Sequence, residues 1–77
     1  MSALNKMLVE TFAIDPSELV DSLAMKDVRK WDSLTHIELI VGLEKLFGIE
    51  FAQDDVVEMT TVGAIRGVLR RRGIAAD

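Results

Sequence analysis

Two serines in this sequence stand in the same triplet, Asp21-Ser22-Leu23 and Asp32-Ser33-Leu34, and they are the first places to look for chemistry. A serine hydroxyl is a weak nucleophile unless a base and an orienting group stand beside it. The chain has no cysteine and a single histidine, His36, which excludes disulfides, thiolate metal sites and zinc-finger sites. It also offers no nucleophile–base–orienter set and no glycine-rich phosphate loop. A serine here is therefore better placed to be modified than to catalyse. Ser33 is predicted to be the first residue of a helix, where side chains are accessible and backbone N–H groups lack partners. A phosphodiester on its Oγ would lie beside the positive end of that helix, worth about 0.3–1 kcal/mol at a solvated site. Asp32 opposes this by like-charge repulsion, so its presence points to other duties: capping the helix and engaging a modifying enzyme.

The elements that position these residues follow from spacing. Ser2 can cap a first helix whose buried stripe is Leu4, Met7/Leu8 and Phe12, and Asp15-Pro16 ends it. Residues 15–31 show no sustained period. A loop of that length is uncommon in a compact domain unless its own side chains pin it, and Leu19, Leu23, Met25, Val28 and Trp31 can do so, with one helical turn at Pro16-Ser17-Glu18-Leu19. A second helix is predicted over Ser33 to Phe47, with Asp32 as N-cap and Gly48 as the stop. Ile49-Glu50-Phe51 reads as an extended link. Asp54 can cap a short third helix reaching Met59, and Thr61 a fourth with Val62, Ile65, Val68 and Leu69 inward and Gly73 at its end. The expected fold is all-α: three main helices and one short one, with a long loop between the first two. Seventy-seven residues leave room for a single domain, 1–77. Such a chain buries only roughly 60% of its unfolded surface.

The second helix has one apolar face too many. On a wheel of about 100° per residue, Leu39, Ile40, Leu43, Leu46 and Phe47 share one core-facing arc. Leu34, Ile37 and Val41 lie opposite, with Glu38 and Glu44 beside them and Lys45 in the same arc. An apolar strip rimmed by carboxylates is the expected form of a protein-docking face. The competing reading has loop 15–31 folding over the strip as a second core. Charge supports the first: residues 32–58 carry seven acids against Lys45 alone, whereas residues 59–77 carry Arg66, Arg70, Arg71 and Arg72 against Asp77. The acidic middle suits basic protein partners and disfavours nucleic acid.

Trp31-Asp32-Ser33-Leu34, Ile37-Glu38-Leu39-Ile40, Leu43-Glu44, Phe47-Gly48-Ile49 and Met59-Thr60-Thr61-Val62 together resemble the acyl carrier protein family, over nearly the whole chain. The resemblance implies a covalent carrier of thioester-bound acyl or related groups. Ser33, next to Asp32, would receive 4′-phosphopantetheine from coenzyme A through a phosphopantetheinyl transferase. Asp32, Leu34, Ile37, Glu38, Val41 and Glu44 would meet that transferase and the acyl- or aminoacyl-loading and transferring enzymes. Met25, Ile40, Leu43 and Met59 would line the space into which an acyl chain tucks, and adaptable methionines suit such a space. The missing cysteine agrees, because a carrier needs a thiol and the arm would supply it. Bacterial fatty-acid-synthesis carriers usually have a small residue before the Asp and an almost purely acidic surface after it. Trp31, Lys45 and the arginine cluster depart from that, and Trp-Asp-Ser-Leu is more similar to discrete carriers of secondary-metabolite, aminoacyl or surface-polysaccharide pathways. The alternative is an unmodified helical adaptor that binds a protein through the Leu34/Ile37/Val41 strip.

Single residues have plainer readings. His36 is expected to serve in packing or hydrogen bonding, and Trp31 to pin the long loop. The arginines at 70–72 are expected to complement the last helical turn and stay solvated, and Asp54-Asp55 to form a solvated cap, since no calcium loop surrounds them. No apolar run approaches the ~20 residues needed to span a bilayer, and no secretory pattern opens the chain. A cytoplasmic monomer, free of membrane contact, is the expectation.

Overall fold

A side-chain oxygen or a left-handed residue accounts for most of the helix boundaries. In the computed structural model, which describes residues 2–74, α1 spans Ala3–Phe12, α2 Ser33–Phe47, α3 Gln53–Glu58 and α4 Val62–Arg71. Asp77 falls outside the described residues. Ser2 Oγ accepts from Asn5 N at 3.1 Å, Asp32 Oδ1 from Thr35 N at 2.9 Å and Thr61 Oγ1 from Ala64 N at 3.0 Å, each satisfying a donor that the helix start leaves unpaired. Gly48, at φ 66°, ends α2 as expected, because only glycine takes that conformation without a Cβ penalty.

Two boundaries differ from the sequence reading. Ala13 takes the left-handed conformation at φ 54° and closes α1 before Asp15-Pro16 can act. Asp15 instead opens a 3₁₀ turn over Pro16–Glu18, accepting from Ser17 N while Glu18 accepts from Asp15 N, both at 2.9 Å. At α3 the expected cap Asp54 is passed over. Ala52 precedes the helix, and Asp55 Oδ2 reaches back to its N–H at 3.1 Å. A carboxylate in the first turn satisfies that donor as well as a capping side chain would.

The core collects one stripe from each long helix: Leu4, Leu8 and Phe12 of α1, Leu39, Ile40 and Leu43 of α2, and Val62, Ile65, Val68 and Leu69 of α4. Met59, Val28 and Trp31 complete it. Leu46, expected in the core arc, is 40% exposed. Phe12 stacks on Trp31 just before α2, and Met7 lies against Gly42 in its middle. Leu46 lies in the last turn of α2 at the margin of that arc, about 60° from Leu43, and so turns partly to solvent.

The long loop is tied to the start of α4 and leaves the Leu34 strip uncovered. Met25 N donates to Thr60 O at 2.8 Å, Val62 N to Leu23 O at 3.0 Å and Gly63 N to Asp21 O at 2.9 Å, forming the isolated bridge between Ala24 and Thr61. A Cβ at Gly63 would stand 3.1 Å from Asp21 O, a tight contact that the loop backbone would have to yield to, so the close approach favours glycine. Arg66 adds a side-chain tie, with Nε to Asp21 Oδ1 at 3.1 Å and Nη2 to Asn5 Oδ1 at 2.8 Å.

Candidate functional site

Ser33 is exposed and is the first residue of the fifteen-residue α2. Asp32, just before it, spends its carboxylate on the Thr35 N–H, and this bond holds its carboxyl below the ordinary aspartate range. The anion is thereby turned toward the helix start. That is the capping duty its presence called for. An anionic substituent on the neighbouring hydroxyl would share the same positive helix end. The site thus fits a phosphodiester-linked group.

Beyond Ser33, the second face of α2 is open. Leu34, Ile37 and Val41 are 67%, 59% and 42% exposed. Loop 15–31 does not cover them, so the second-core reading is set aside. Val57 on α3 is another exposed apolar residue, at 70%. The acidic rim is thinner than the sequence suggests. Glu38 is exposed, but Glu44 is half-buried and its Oε2 accepts from Phe51 N at 2.9 Å, which fixes the Ile49–Phe51 link against α2.

The C-terminal arginines remove more of that charge. Arg71 Nη2 reaches Glu58 Oε1 at 2.9 Å and Asp55 Oδ1 at 3.3 Å, and Arg72 pairs with Asp55 Oδ2. Arg72 above all, with the Ala52 N–H, holds the Asp55 carboxyl below its ordinary range, while Glu58 raises Arg71. The arginines at 70–72 and Asp54 are exposed, as expected, but the expectation for Asp55 is corrected: it is half-buried, and Arg71 and Arg72 pair with it across α3 and α4. The physical reason is proximity, because α3 buries no residue of its own and its acids face the last turn of α4.

The four residues implied as an acyl pocket are divided. Ile40, Leu43 and Met59 are 7%, 0% and 0% exposed inside the core. Met25 is half-buried and lines an open groove of about 520 Å³ with Ala24, Lys26, Trp31, Thr60 and Thr61.

Sequence reasoning missed one arrangement outright. Trp31 and His36, both buried, are joined by Trp31 Nε1–H donating to His36 Nδ1 at 3.0 Å, and His36 Nε2 lies 2.9 Å from Val56 O. A tryptophan just before a helix cap and a histidine one turn into that helix were the available signal. Packing or hydrogen bonding is the expectation for His36 and loop-pinning that for Trp31, and both hold, but the link between the two is not foreseen. No helix of the described residues is long and apolar enough to cross a membrane.

Comparison with known proteins agrees with this geometry. A family model described as "Phosphopantetheine attachment site" matches residues 2–69. The acyl carrier protein of Zymomonas mobilis is 34% identical over 59 residues, covering 77% of this chain and 76% of that protein. That of Rhodopseudomonas palustris is 35% identical over 60 residues, covering 78% and 76%. That of Lactobacillus johnsonii is 35% identical over 57 residues, covering 74% and 71%. The matched family is one of carriers rather than catalysts, served by phosphopantetheinyl transferases and acyl-handling enzymes. An exposed serine at a helix start, an uncovered apolar strip and this similarity lead to one conclusion: the chain belongs to the acyl carrier protein family, with covalently attached 4′-phosphopantetheine as its cofactor.

Proposed function

We propose that Ser33 is the attachment point and that the chain, as a single carrier domain without turnover of its own, presents a thioester-bound group to the enzymes of a biosynthetic pathway. The observation that carries this is the exposure of Ser33 at the first position of α2, directly beside the uncovered Leu34/Ile37/Val41 strip. In the loading step, Ser33 Oγ forms a P–O bond to the pantetheine phosphate of coenzyme A. The pyrophosphate P–O bond breaks, the nucleotide half leaves, and the hydroxyl proton passes to a base on the transferase. The arm supplies the thiol that this cysteine-free chain lacks. Asp32 holds the start of α2 in register for that enzyme. Leu34, Ile37 and Val41 provide the apolar centre of the docking face, and Glu38 the charge that orients basic partners. Glu44 contributes mainly by holding Phe51, given its half-buried position. A monomer in the cytoplasm remains the working picture.

Mass spectrometry tests the assignment. Incubation with coenzyme A, Mg²⁺ and a broad-specificity phosphopantetheinyl transferase should add one arm per chain. Ser33→Ala should abolish the addition and Ser22→Ala should leave it intact. Labelling that survives Ser33→Ala contradicts the assignment, and an unlabelled wild type favours the adaptor reading.

A further inference from the structure

The His36 link has a consequence for cargo. The Trp31 indole N–H can only donate, so His36 Nδ1 accepts it, and Nε2 carries the ring hydrogen toward Val56 O. Val56 belongs to the last turn of α3, where carbonyls lack helical partners. The amide that a longer helix would offer it, Thr60 N, turns to Glu58 O at 2.8 Å instead. The imidazole therefore bolts α2 to α3 while Trp31 holds it from behind, and Trp31 is itself stacked on Phe12 with ring centroids 4.2 Å apart. A chain threading between α2 and α3 toward Leu43 and Met59 would part this bolt, leaving the His36 Nε2–H and the Val56 carbonyl unpaired.

We infer that His36 is a specificity-determining residue that bars long alkyl chains from the bundle interior, so that the cargo is a short or polar acyl group held outside it. This rests on the proposed loading of Ser33. The open groove bounded by Trp31, two residues before Ser33, is suited to such cargo: Met25 and Trp31 give it apolar walls, and Lys26, Thr60 and Thr61 give it polar groups.

The test loads the chain from acetyl-coenzyme A and from octanoyl-coenzyme A with the same transferase, confirms both by intact mass, and compares melting temperatures. Failure of both loadings counts against Ser33, whereas loading followed by the wrong melting pattern counts against the bolt. In the wild type the octanoyl form should melt less than about 2 °C above the acetyl form. In His36→Ala the octanoyl form should melt well above the acetyl form, with added amide protection at Leu43 and Met59. Should His36→Ala not fold, His36→Asn keeps an acceptor for the Trp31 N–H, removes the ring nitrogen that reaches Val56 O, and carries the same comparison. A wild-type octanoyl form stabilised beyond that limit overturns the inference, as does a folded variant with no dependence on chain length.

Discussion

At Asp21-Ser22-Leu23 the aspartate reaches across the fold to Arg66, its carbonyl receives Gly63 N, and the leucine packs half-buried on the core. At Asp32-Ser33-Leu34 the aspartate turns inward to cap its own helix, and the leucine is 67% exposed. Both serines are exposed. Accessibility therefore does not separate them. What separates them is the role of the flanking residues. Around Ser22 they tie a loop to α4, and around Ser33 they start a helix and leave its outer face clear. The same three residue types stabilise the fold in one place and present a surface in the other.

The widest split between the two triplets should come from their leucines. Leu34→Ala should lower kcat/KM of the transferase about tenfold, the scale of a docking anchor, and leave stability unchanged. Leu23→Ala should do the reverse, costing about 1–3 kcal/mol in denaturant unfolding while loading proceeds normally once the chain is folded. If both variants lose loading in proportion to stability, the strip is not a docking face. A smaller effect is expected from Glu38→Lys, which should slow loading by a few-fold at low salt and much less at high salt, since the interaction is a screened encounter. Rates insensitive to both charge and salt would remove Glu38 from that role.

Smaller still is the contrast between the aspartates. Asp32 and Asp55 have carboxyls held low by their hydrogen bonds, whereas Asp21 pairs from solvent with the largely buried Arg66. A group whose folded value is depressed contributes stability above its unfolded value, and that contribution is lost as pH falls through the folded one. Thermal melting should therefore be flat near neutrality and decline below the ordinary aspartate value of 3.8. Asp32→Asn and Asp55→Asn should each flatten the decline, and Asp21→Asn should change stability at neutral pH only slightly, because an ion pair with a solvated partner contributes little. An unaltered acid limb in the first two variants would show that the caps and the α3–α4 pairs do not act through charge.

Local signals made the fold largely legible. Caps at Ser2, Asp32 and Thr61, the stop at Gly48 and the periodic stripes of α1 and α4 all lie within a few residues of what they determine. So does the second face of α2, which needs only the helical wheel. What escaped the sequence depends on pairs distant along the chain or on backbone conformation. Ala13 closes α1 by a left-handed turn that no residue type announces. Asp55 meets Arg72, Glu44 meets Phe51, and His36 meets both Trp31 and Val56, and none of these pairings follows from composition. Counting acids overstated the docking rim for the same reason, since Asp55, Glu58 and Glu44 are engaged within the fold.

The most direct test localises the arm within the wild-type chain. Trypsin cleaves after Lys6, Lys26, Lys30 and Lys45, which separates the two triplets into peptides 7–26 and 31–45. After loading, the added mass should appear on 31–45, with fragment ions assigning it to Ser33 rather than Thr35, while 7–26 stays unmodified. An arm found on 7–26, or on Thr35, would contradict the account.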